Sequence, residues 1–402
     1  MLETMEARRM FGGHVLFVHG ATRSGGFLEA TDPAARNAQL ADIADTSTAA
    51  GNSGWGTLAA ELRDAGFTVS QISETKERVE DGSGFVRGRP VRFETMDLSP
   101  YAAIVFGSNN ARYEEAQITA IDNYIRNGGS ALVISDANFG SNWRDAADSD
   151  QAFLSRYFIT MNQDAASPTA VLGRAGGHFV DGEHPILHGI DAISGEGVSP
   201  VTVPSTSPLP GVAITRVIAA SGQVRNNDGR DPANNFQGSL RAATSQDAAL
   251  AVATIDRGRL ACFFDRNTFF NANGLGTDIT ENNNRAFAMN LLEWLTDKTP
   301  PGVVSSTFTP GAPHEVKITF DDRILGLSRS DILVRDPVTA VPLPRTRWGW
   351  ALDEVNGRSV LSIRVKAATP AGMYQVQINR NKFIDDGGNA NAARVRFNFV
   401  IG

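Results

Sequence analysis

Polar side chains are concentrated directly after four apolar runs of the chain, and α/β proteins place their ligands at such positions. The four groups are His19 with Arg23, Ser108 with Asn109 and Asn110, Asp136 with Asn138 and Asn142, and Asp265 with Arg266 and Asn267. Amides both donate and accept hydrogen bonds, so these groups suit a hydroxyl-rich ligand. Asn and Asp also fix turns through their own backbone, and for any single residue both interpretations stay open.

Two functions are compatible with this polar density, and a third interpretation, a purely structural surface protein, is favoured if Phe139, Trp143 and Phe269 fill the crevice. In the first, the groups bind a polar small molecule or a glycan without catalysis, and this interpretation is favoured. In the second, Asp136 and Asp265 form the carboxylate pair of a hydrolase, with His19 or Arg266 assisting. Glycosidase chemistry would require the two carboxyl groups to lie about 5 to 9.5 Å apart across a cleft.

Familiar motifs for other chemistries are missing or incomplete in the sequence. Gly20 and Gly25 are spaced like P-loop glycines, but Gly26 and Phe27 occupy the lysine and hydroxyl positions, which disfavours nucleotide hydrolysis. There is no G-x-S-x-G elbow and no H-E-x-x-H or paired C-x-x-C motif. The one cysteine, Cys262, lies in the apolar run "RLACFF", which indicates a small core residue. No cofactor is expected.

Three histidines, His178, His184 and His188, have a spacing that resembles a metal site. Pro185 and the following Ile-Leu pair in "DGEHPILHGI" instead favour a docked structural segment, so we expect no metal here.

Alternating strand-like and helical patterns indicate the elements that position the polar groups. "HVLFVHG", "FTVSQIS", "YAAIVFGSNN" and "ALVISD" predict strands, and "WGTLAAELRDAG" and "EEAQITAIDNYIRNGG" predict helices. This order is typical of βαβ units around a parallel sheet. Later, "ALAVATIDRGRLACFFD" predicts two strands joined at 256–258, and "NRAFAMNLLEWLTD" predicts a closing helix. Residues 222–245 lack apolar periodicity and predict a long binding loop.

The composition changes at "TDKTPPGVV", because Pro300, Pro301 and Gly302 cannot continue a helix. Beyond it, short segments of alternating polarity predict an all-β sandwich over 300–402. The expected organisation is therefore a tail or sorting motif over 1–12, an α/β domain over 13–299 and this sandwich.

The overall charge and hydropathy limit the partners of the chain. A net charge of -7 would repel a phosphate backbone, so no nucleic-acid partner is expected. No apolar stretch approaches the ~20 residues of a transmembrane helix.

Several stretches of the first 300 residues together resemble a known superfamily. "YAAIVFGSNN", "AIDNYIRNGGSALVISD", "HPILHGI" and "DRGRLACFFDRN" are similar to the class I glutamine amidotransferase-like superfamily, closest to its ThuA-like, non-amidotransferase branch, over roughly 14–297. The resemblance implies a flavodoxin-like parallel sheet. Amidotransferases carry a nucleophilic cysteine at the turn that is Ile134 to Asn138 here, and Asp265 to Asn267 replace their histidine and glutamate. The resemblance therefore implies no glutamine hydrolysis.

Motifs at both ends of the chain point to export. "VKITFDDRI", "PAGMYQVQINR" and "FIDDGGNANAARVRFNFVIG" resemble bacterial Ig-like domains of the SbsA type, which implies a spacer or adhesion unit with a cell-surface partner. Asp385, Asp386 and Asn389 in this region fit a turn without metal better than a Ca²⁺ site. "MLETMEARRMFGG" is similar to the LEPR-XLL-type motif of exported bacterial proteins, although an unstructured charged tail is an equal alternative. We therefore expect an extracellular or cell-surface location.

Overall fold

The computed structural model of the chain describes residues 13–19, 41–73, 75–78, 86–108, 113–135, 151–163, 170–196, 199–207, 209–228, 238–355 and 357–402. The contacts divide the chain into two compact units. The first, called the α/β unit, is Phe11–Thr296, and the second, called the β unit, contains Asp297–Gly402.

The α/β unit contains three helices with described bounds and a nine-stranded sheet. The helices are α1 (Gly56–Asp64), α2 (Glu115–Arg126) and α3 (Asn284–Thr296). The strands of the large sheet are β1 (His14–His19), β2 (Thr68–Ser73), β5 (Ala103–Ser108), β6 (Ser130–Ile134), β7 (Thr160–Met161), β10 (Val201–Thr202), β11 (Val212–Ala219), β14 (Asp247–Ile255) and β15 (Gly258–Phe263). The strands of three separate pairs are β3 (Thr75–Arg78) with β4 (Val86–Arg89), β8 (Ala170–Gly173) with β9 (Ala192–Gly195), and β12 (Gln223–Arg225) with β13 (Leu240–Ala242).

Five neighbouring strands of the large sheet are parallel, in the order β2-β1-β5-β6-β15. Numbered among themselves along the chain, they have the order 2-1-3-4-5, which is that of flavodoxin-like folds. The predicted flavodoxin-like class is therefore confirmed. The sheet then continues with antiparallel strands, because a tight turn at Asp256, with φ of 51°, joins β14 to β15. β10, β7 and β11 extend this antiparallel part.

Apolar clusters cover both faces of the sheet, which explains the unbroken apolar runs of its central strands. One cluster combines α1 and α3 with residues such as Val15, Val105 and Phe263, and the other combines α2 with Leu16, Ile104 and Val133. Helix α2 begins with a capping box between Glu114 and Gln117, which satisfies backbone donors at its first turn.

The structure changes one prediction about the α/β unit. Residues 222–245 are not a strand-free loop, because β12 and β13 pair antiparallel at its two ends. Short strands of three residues carry too little periodicity to be recognised from the sequence. Every helix within the described residues is too short or too polar to span a bilayer.

The β unit contains two antiparallel sheets that share one apolar core. The four-stranded sheet has the order β16-β17-β21-β20, and the three-stranded sheet has the order β19-β22-β24. The bounds are β16 (Val303–Thr309), β17 (His314–Phe320), β19 (Ile332–Arg335), β20 (Trp348–Val355), β21 (Arg358–Val365), β22 (Gly372–Ile378) and β24 (Val395–Ile401), with a short extra pair of β18 (Ile324–Leu325) and β23 (Ile384–Asp385). The predicted antiparallel β architecture is confirmed.

Candidate functional site

The carboxyl ends of the parallel strands form the edge where flavodoxin-like proteins bind ligands. The strand order reverses between β1 and β5, so the crevice at the end of these two strands is the switch point of the sheet. His19 ends β1, and its backbone lies opposite that of Ser108, which ends β5. Next to it, a side chain at Gly107 would meet the ring of the buried Trp55 at 2.5 Å, so only glycine fits here. We call this edge the carboxyl edge.

Besides Ser108, four of the other ten residues in the four polar groups lie within the described part of the chain: His19, Asp265, Arg266 and Asn267. The other six, which fall outside the described residues, are Arg23, Asn109, Asn110, Asp136, Asn138 and Asn142. His19, Asp265 and Arg266 are only 1%, 0% and 2% exposed, whereas Asn267 is half-buried. Of the four, only Asn267 lies near enough to the surface to contact a ligand without rearrangement.

Asp265 follows β15, and its carboxylate holds the turn after that strand. Oδ2 accepts hydrogen bonds from the backbone N–H groups of Glu196 and Thr268, each at 3.0 Å, and lies 2.9 Å from the Thr268 hydroxyl. Oδ1 accepts from the backbone N–H of Asn267 at 3.0 Å. Burial raises the pKa of Asp265 to about 6, although these donors act to lower it. The carboxyl group therefore changes its charge close to neutral pH.

The Thr268 hydroxyl can adapt to either state of Asp265. Its oxygen also lies 2.9 Å from the carbonyl oxygen of Ser194, but a hydroxyl donates only one proton. When Asp265 is ionised, Thr268 donates to it; when Asp265 is neutral, the acid can donate to Thr268, which then donates to Ser194. Both states of the buried carboxyl are accordingly hydrogen-bonded, and neither leaves an oxygen directed at solvent.

Ser135 directly follows β6, in the turn that the sequence resemblance matches to the nucleophile position of amidotransferases. It is fully buried, and its hydroxyl lies 2.5 Å from the carbonyl oxygen of Ser199 and 3.1 Å from that of Phe263. The side chain therefore ties the end of β6 to the neighbouring segments. Among the described contacts of this hydroxyl, both partners are carbonyl oxygens, and neither is a base that would activate it for attack.

Glu196 joins the carboxyl edge although the sequence analysis did not select it. Its carboxylate accepts a hydrogen bond from the Asn267 side chain at 3.1 Å, and Asn267 also donates to the Leu275 carbonyl at 2.9 Å. Glu196 is half-buried, and its Oε2 lies 1.0 Å from where a side chain at Gly276 would begin. Because Glu196 follows β9, which is outside the large sheet, only tertiary structure brings it to this edge. The pair Glu196 and Asn267 provides an acceptor and an amide near the surface.

The histidine segment is a short 3-10 turn packed into the core. Ile186 and Leu187 are fully buried, and the His184 ring lies 5.5 Å from that of Trp294. Burial lowers the pKa of His184 to about 4, with Arg259 contributing. The segment has the docked, structural character that the sequence predicted. Cys262 is likewise buried in the core.

The acidic turn of the β unit is organised by its own side chains. The backbone N–H of Asn389 donates to Asp385 at 2.7 Å, and the Nε of Arg323 lies 2.9 Å from both carboxylate oxygens of Asp386. Asp297, Asp322 and Asp385 each offer an oxygen within 4.8 Å of the others.

Together, the strand order and this edge define a flavodoxin-like α/β unit followed by an antiparallel β unit. No protein-family model matches the chain, and no curated protein matches its sequence. Among solved structures, the mmIFT52 N-terminal domain is similar with a TM-score of 0.39 and 12% identity, over 70% of this chain and 97% of that one. A ThuA-like protein from Parabacteroides merdae is similar with a TM-score of 0.29 and 13% identity, over 63% of this chain and 78% of that one. Neither similarity is close enough to transfer an activity.

Proposed function

We propose that the chain is an exported or surface-displayed protein whose α/β unit binds a polar ligand of the carbohydrate type at the carboxyl edge. The observation that carries this proposal is the half-buried, hydrogen-bonded pair of Glu196 and Asn267 at the carboxyl edge. Both N–H groups of the Asn267 amide are used within the protein, by Glu196 and the Leu275 carbonyl, so the Glu196 carboxylate and the Asn267 side-chain oxygen act as acceptors for the hydroxyl groups of a sugar. Asp265 holds the turn that carries Asn267, and His19 and Arg266 are buried at the same strand ends.

Binding without amidotransferase activity fits the described residues better than catalysis does. The Ser135 hydroxyl is hydrogen-bonded to two carbonyl oxygens. The one cysteine of the sequence, Cys262, is buried in the core and does not lie at the carboxyl edge. The amidotransferase-like, ThuA-like ancestry inferred from the sequence motifs is compatible with this loss of a nucleophile.

The β unit supports the display role. The seven long strands of this unit can be lettered A to G along the chain: β16, β17, β19, β20, β21, β22 and β24. In these letters, the two sheets have the orders A-B-E-D and C-F-G. This is the strand arrangement of seven-stranded immunoglobulin constant-type domains. We therefore propose an Ig-like module, of the SbsA type suggested by its motifs, that presents the α/β unit or contacts a cell-surface partner.

A second candidate is a hydrolase that uses Asp136 and Asp265. One observation favours it, because the pKa of Asp265, raised by burial to about 6, lies in the range of general acids. The hydrogen bonds from three backbone N–H groups to its carboxylate argue against a catalytic role.

Binding to a glycan array and a panel of polar metabolites tests the proposal with the full chain. Asn267→Ala and Glu196→Gln are expected to weaken the binding about 10-fold or more, since hydrogen bonds to charged groups contribute about 1.5–3 kcal/mol. His14→Ala is the matched control, because His14 lies on β1 at the opposite end from His19 and bonds Ser70 at 2.7 Å.

The outcomes separate the candidates. Saturable binding that Asn267→Ala weakens and His14→Ala retains supports the proposal. Binding that no carboxyl-edge variant alters would refute the location. Release of cleaved product from a bound glycan, lost in Asp136→Asn, would support the hydrolase instead.

A further inference from the structure

A second cleft lies at the opposite edge of the sheet from the carboxyl edge. It has a volume of about 480 Å³ and lies between the turn at Phe93, the segment that leads into β5, and helix α2. Two residues of its wall, Tyr101 and Gly129, lie just before the amino ends of β5 and β6. The cleft is therefore separate from the switch point, and we call it the amino-edge cleft.

Glu94 contributes a carboxylate to the wall of this cleft. Its side chain is 20% exposed, and Oε1 accepts a hydrogen bond from the Nε of Arg92. Oε2 is buried, and among the described residues no donor reaches it with full hydrogen-bond geometry. Burial acts to raise the pKa of Glu94, but the hydrogen bond and charge of Arg92, together with smaller contributions from the Glu94 backbone N–H and the Gln117 side chain, outweigh burial and leave that pKa lowered. A buried carboxylate oxygen that lacks a donor is costly, so it favours an occupant that supplies one.

The remaining wall combines aromatic and aliphatic residues with the polar residues Ser99, Asn123 and Asn127. Phe93 and the rings of Tyr101 and Tyr124 line it, together with aliphatic side chains. The Tyr124 hydroxyl donates to the Tyr101 carbonyl at 2.9 Å, which orients its ring. A side chain at Gly129 would approach that ring to 2.2 Å, so the glycine allows the ring to lie where it does. Aromatic surfaces beside a carboxylate recognise organic cations through ring faces and charge.

We propose that the amino-edge cleft binds a small organic amine with an apolar body. The ammonium group donates to Oε2 of Glu94, and the apolar body packs against Phe93, Tyr101 and Tyr124. Asn123 and Asn127 of the cleft offer further acceptors for the remaining ammonium protons. This site is independent of polar-ligand binding at the carboxyl edge.

Saturation-transfer NMR on the full chain tests the proposal with benzylamine as the probe and benzyl methyl ether as its uncharged analogue. A fragment of this size is expected to bind with a Kd of about 1 mM. Glu94→Gln is expected to weaken benzylamine binding about 10- to 100-fold, because it removes the charge-assisted hydrogen bond. Ala120→Leu, which adds bulk at a cleft residue on α2, is expected to weaken both probes.

Glu115→Gln is the matched control for Glu94→Gln. Glu115 lies on helix α2, which forms one wall of the cleft, but its side chain is 81% exposed and outside the cleft. Its benzylamine affinity should equal that of the parent chain. Circular dichroism and the Tm confirm that each variant folds. No benzylamine signal with the parent chain, or equal affinity in Glu94→Gln and the parent, would overturn the proposal. Equal binding of benzyl methyl ether would also overturn it, because the cleft would then select apolar bodies rather than amines.

Discussion

Asp265→Asn is expected to change how the stability of the chain depends on pH. Because burial raises the folded-state pKa to about 6, the folded state binds a proton more tightly than the unfolded state. The contribution of Asp265 to stability is therefore fully present below about pH 3.8, declines as the pH rises, and is constant above pH 6. Asparagine has no such titration.

The rise of the Asp265 pKa from its ordinary value of 3.8 to about 6 corresponds to about 3 kcal/mol, of which about 2.4 kcal/mol develops between pH 4 and pH 7. At pH 4 the variant is expected to be less stable than the parent by about 1–3 kcal/mol, since an asparagine amide would oppose the backbone N–H of Asn267. As the pH rises to 7, the parent loses its advantage and the two stabilities converge or cross.

Urea unfolding of both proteins at half-unit steps from pH 4 to pH 7.5 measures this difference. Asp97→Asn is a control of opposite sign in the same unit, because hydrogen bonds from Ser99 lower the pKa of that exposed carboxylate. There, the advantage of the parent should be constant above about pH 5 and should begin to shrink only as the pH falls toward 4 and below, in titrations extended to pH 3. A parent-minus-variant difference for Asp265 that is constant with pH, or that grows as the pH rises, would refute the reasoning.

Two further predictions concern other buried ionisable groups. Burial lowers the pKa of His184 to about 4, so the unfolded state takes up a proton at this side chain before the folded state does. The unfolding free energy of the parent should therefore fall by up to about 3 kcal/mol as the pH falls from about 6.5 to 4. Urea titrations should show that His184→Gln lacks this loss; an identical loss in the variant would contradict the assignment. In the β unit, Arg323→Leu should lower the unfolding free energy by about 3 kcal/mol. Asp386 is only 7% exposed, and the substitution removes the guanidinium group that contacts both of its carboxylate oxygens. Denaturant unfolding that shows a change below about 0.5 kcal/mol would argue against a stabilising pair.

The parallel sheet was predictable because its signals are local. Each central strand is a continuous apolar run, and helix α2 carries its stop signal at Gly128, whose φ is 108°. The hairpin of β14 and β15 was equally clear from its short turn. By contrast, β16 was not recognised, because nearly all its side chains are exposed and it lacks the alternation of its neighbours.

The candidate site was less predictable than the sheet, because its geometry depends on contacts far apart in the chain. The sequence places Asp265 at a strand end, but its role follows from the backbone of Glu196, which lies 69 residues earlier. The same long-range contact brings Glu196 beside Asn267. The bonds that Asp265 accepts from the backbone of Asn267 and Thr268 follow the local pattern of an acid that fixes its own turn, whereas the burial of Arg266 has no local signature.

Hydrogen–deuterium exchange of the full chain, with and without a polar ligand found on the array, tests the central claim most directly. Binding at the carboxyl edge predicts slower exchange in peptides that contain the ends of β1 and β5 and the segment around Glu196 and Asn267. Peptides of the amino-edge cleft, around Phe93, and of the β unit should be unchanged. Protection confined to either of those two regions, with the carboxyl edge unaffected, would contradict the account.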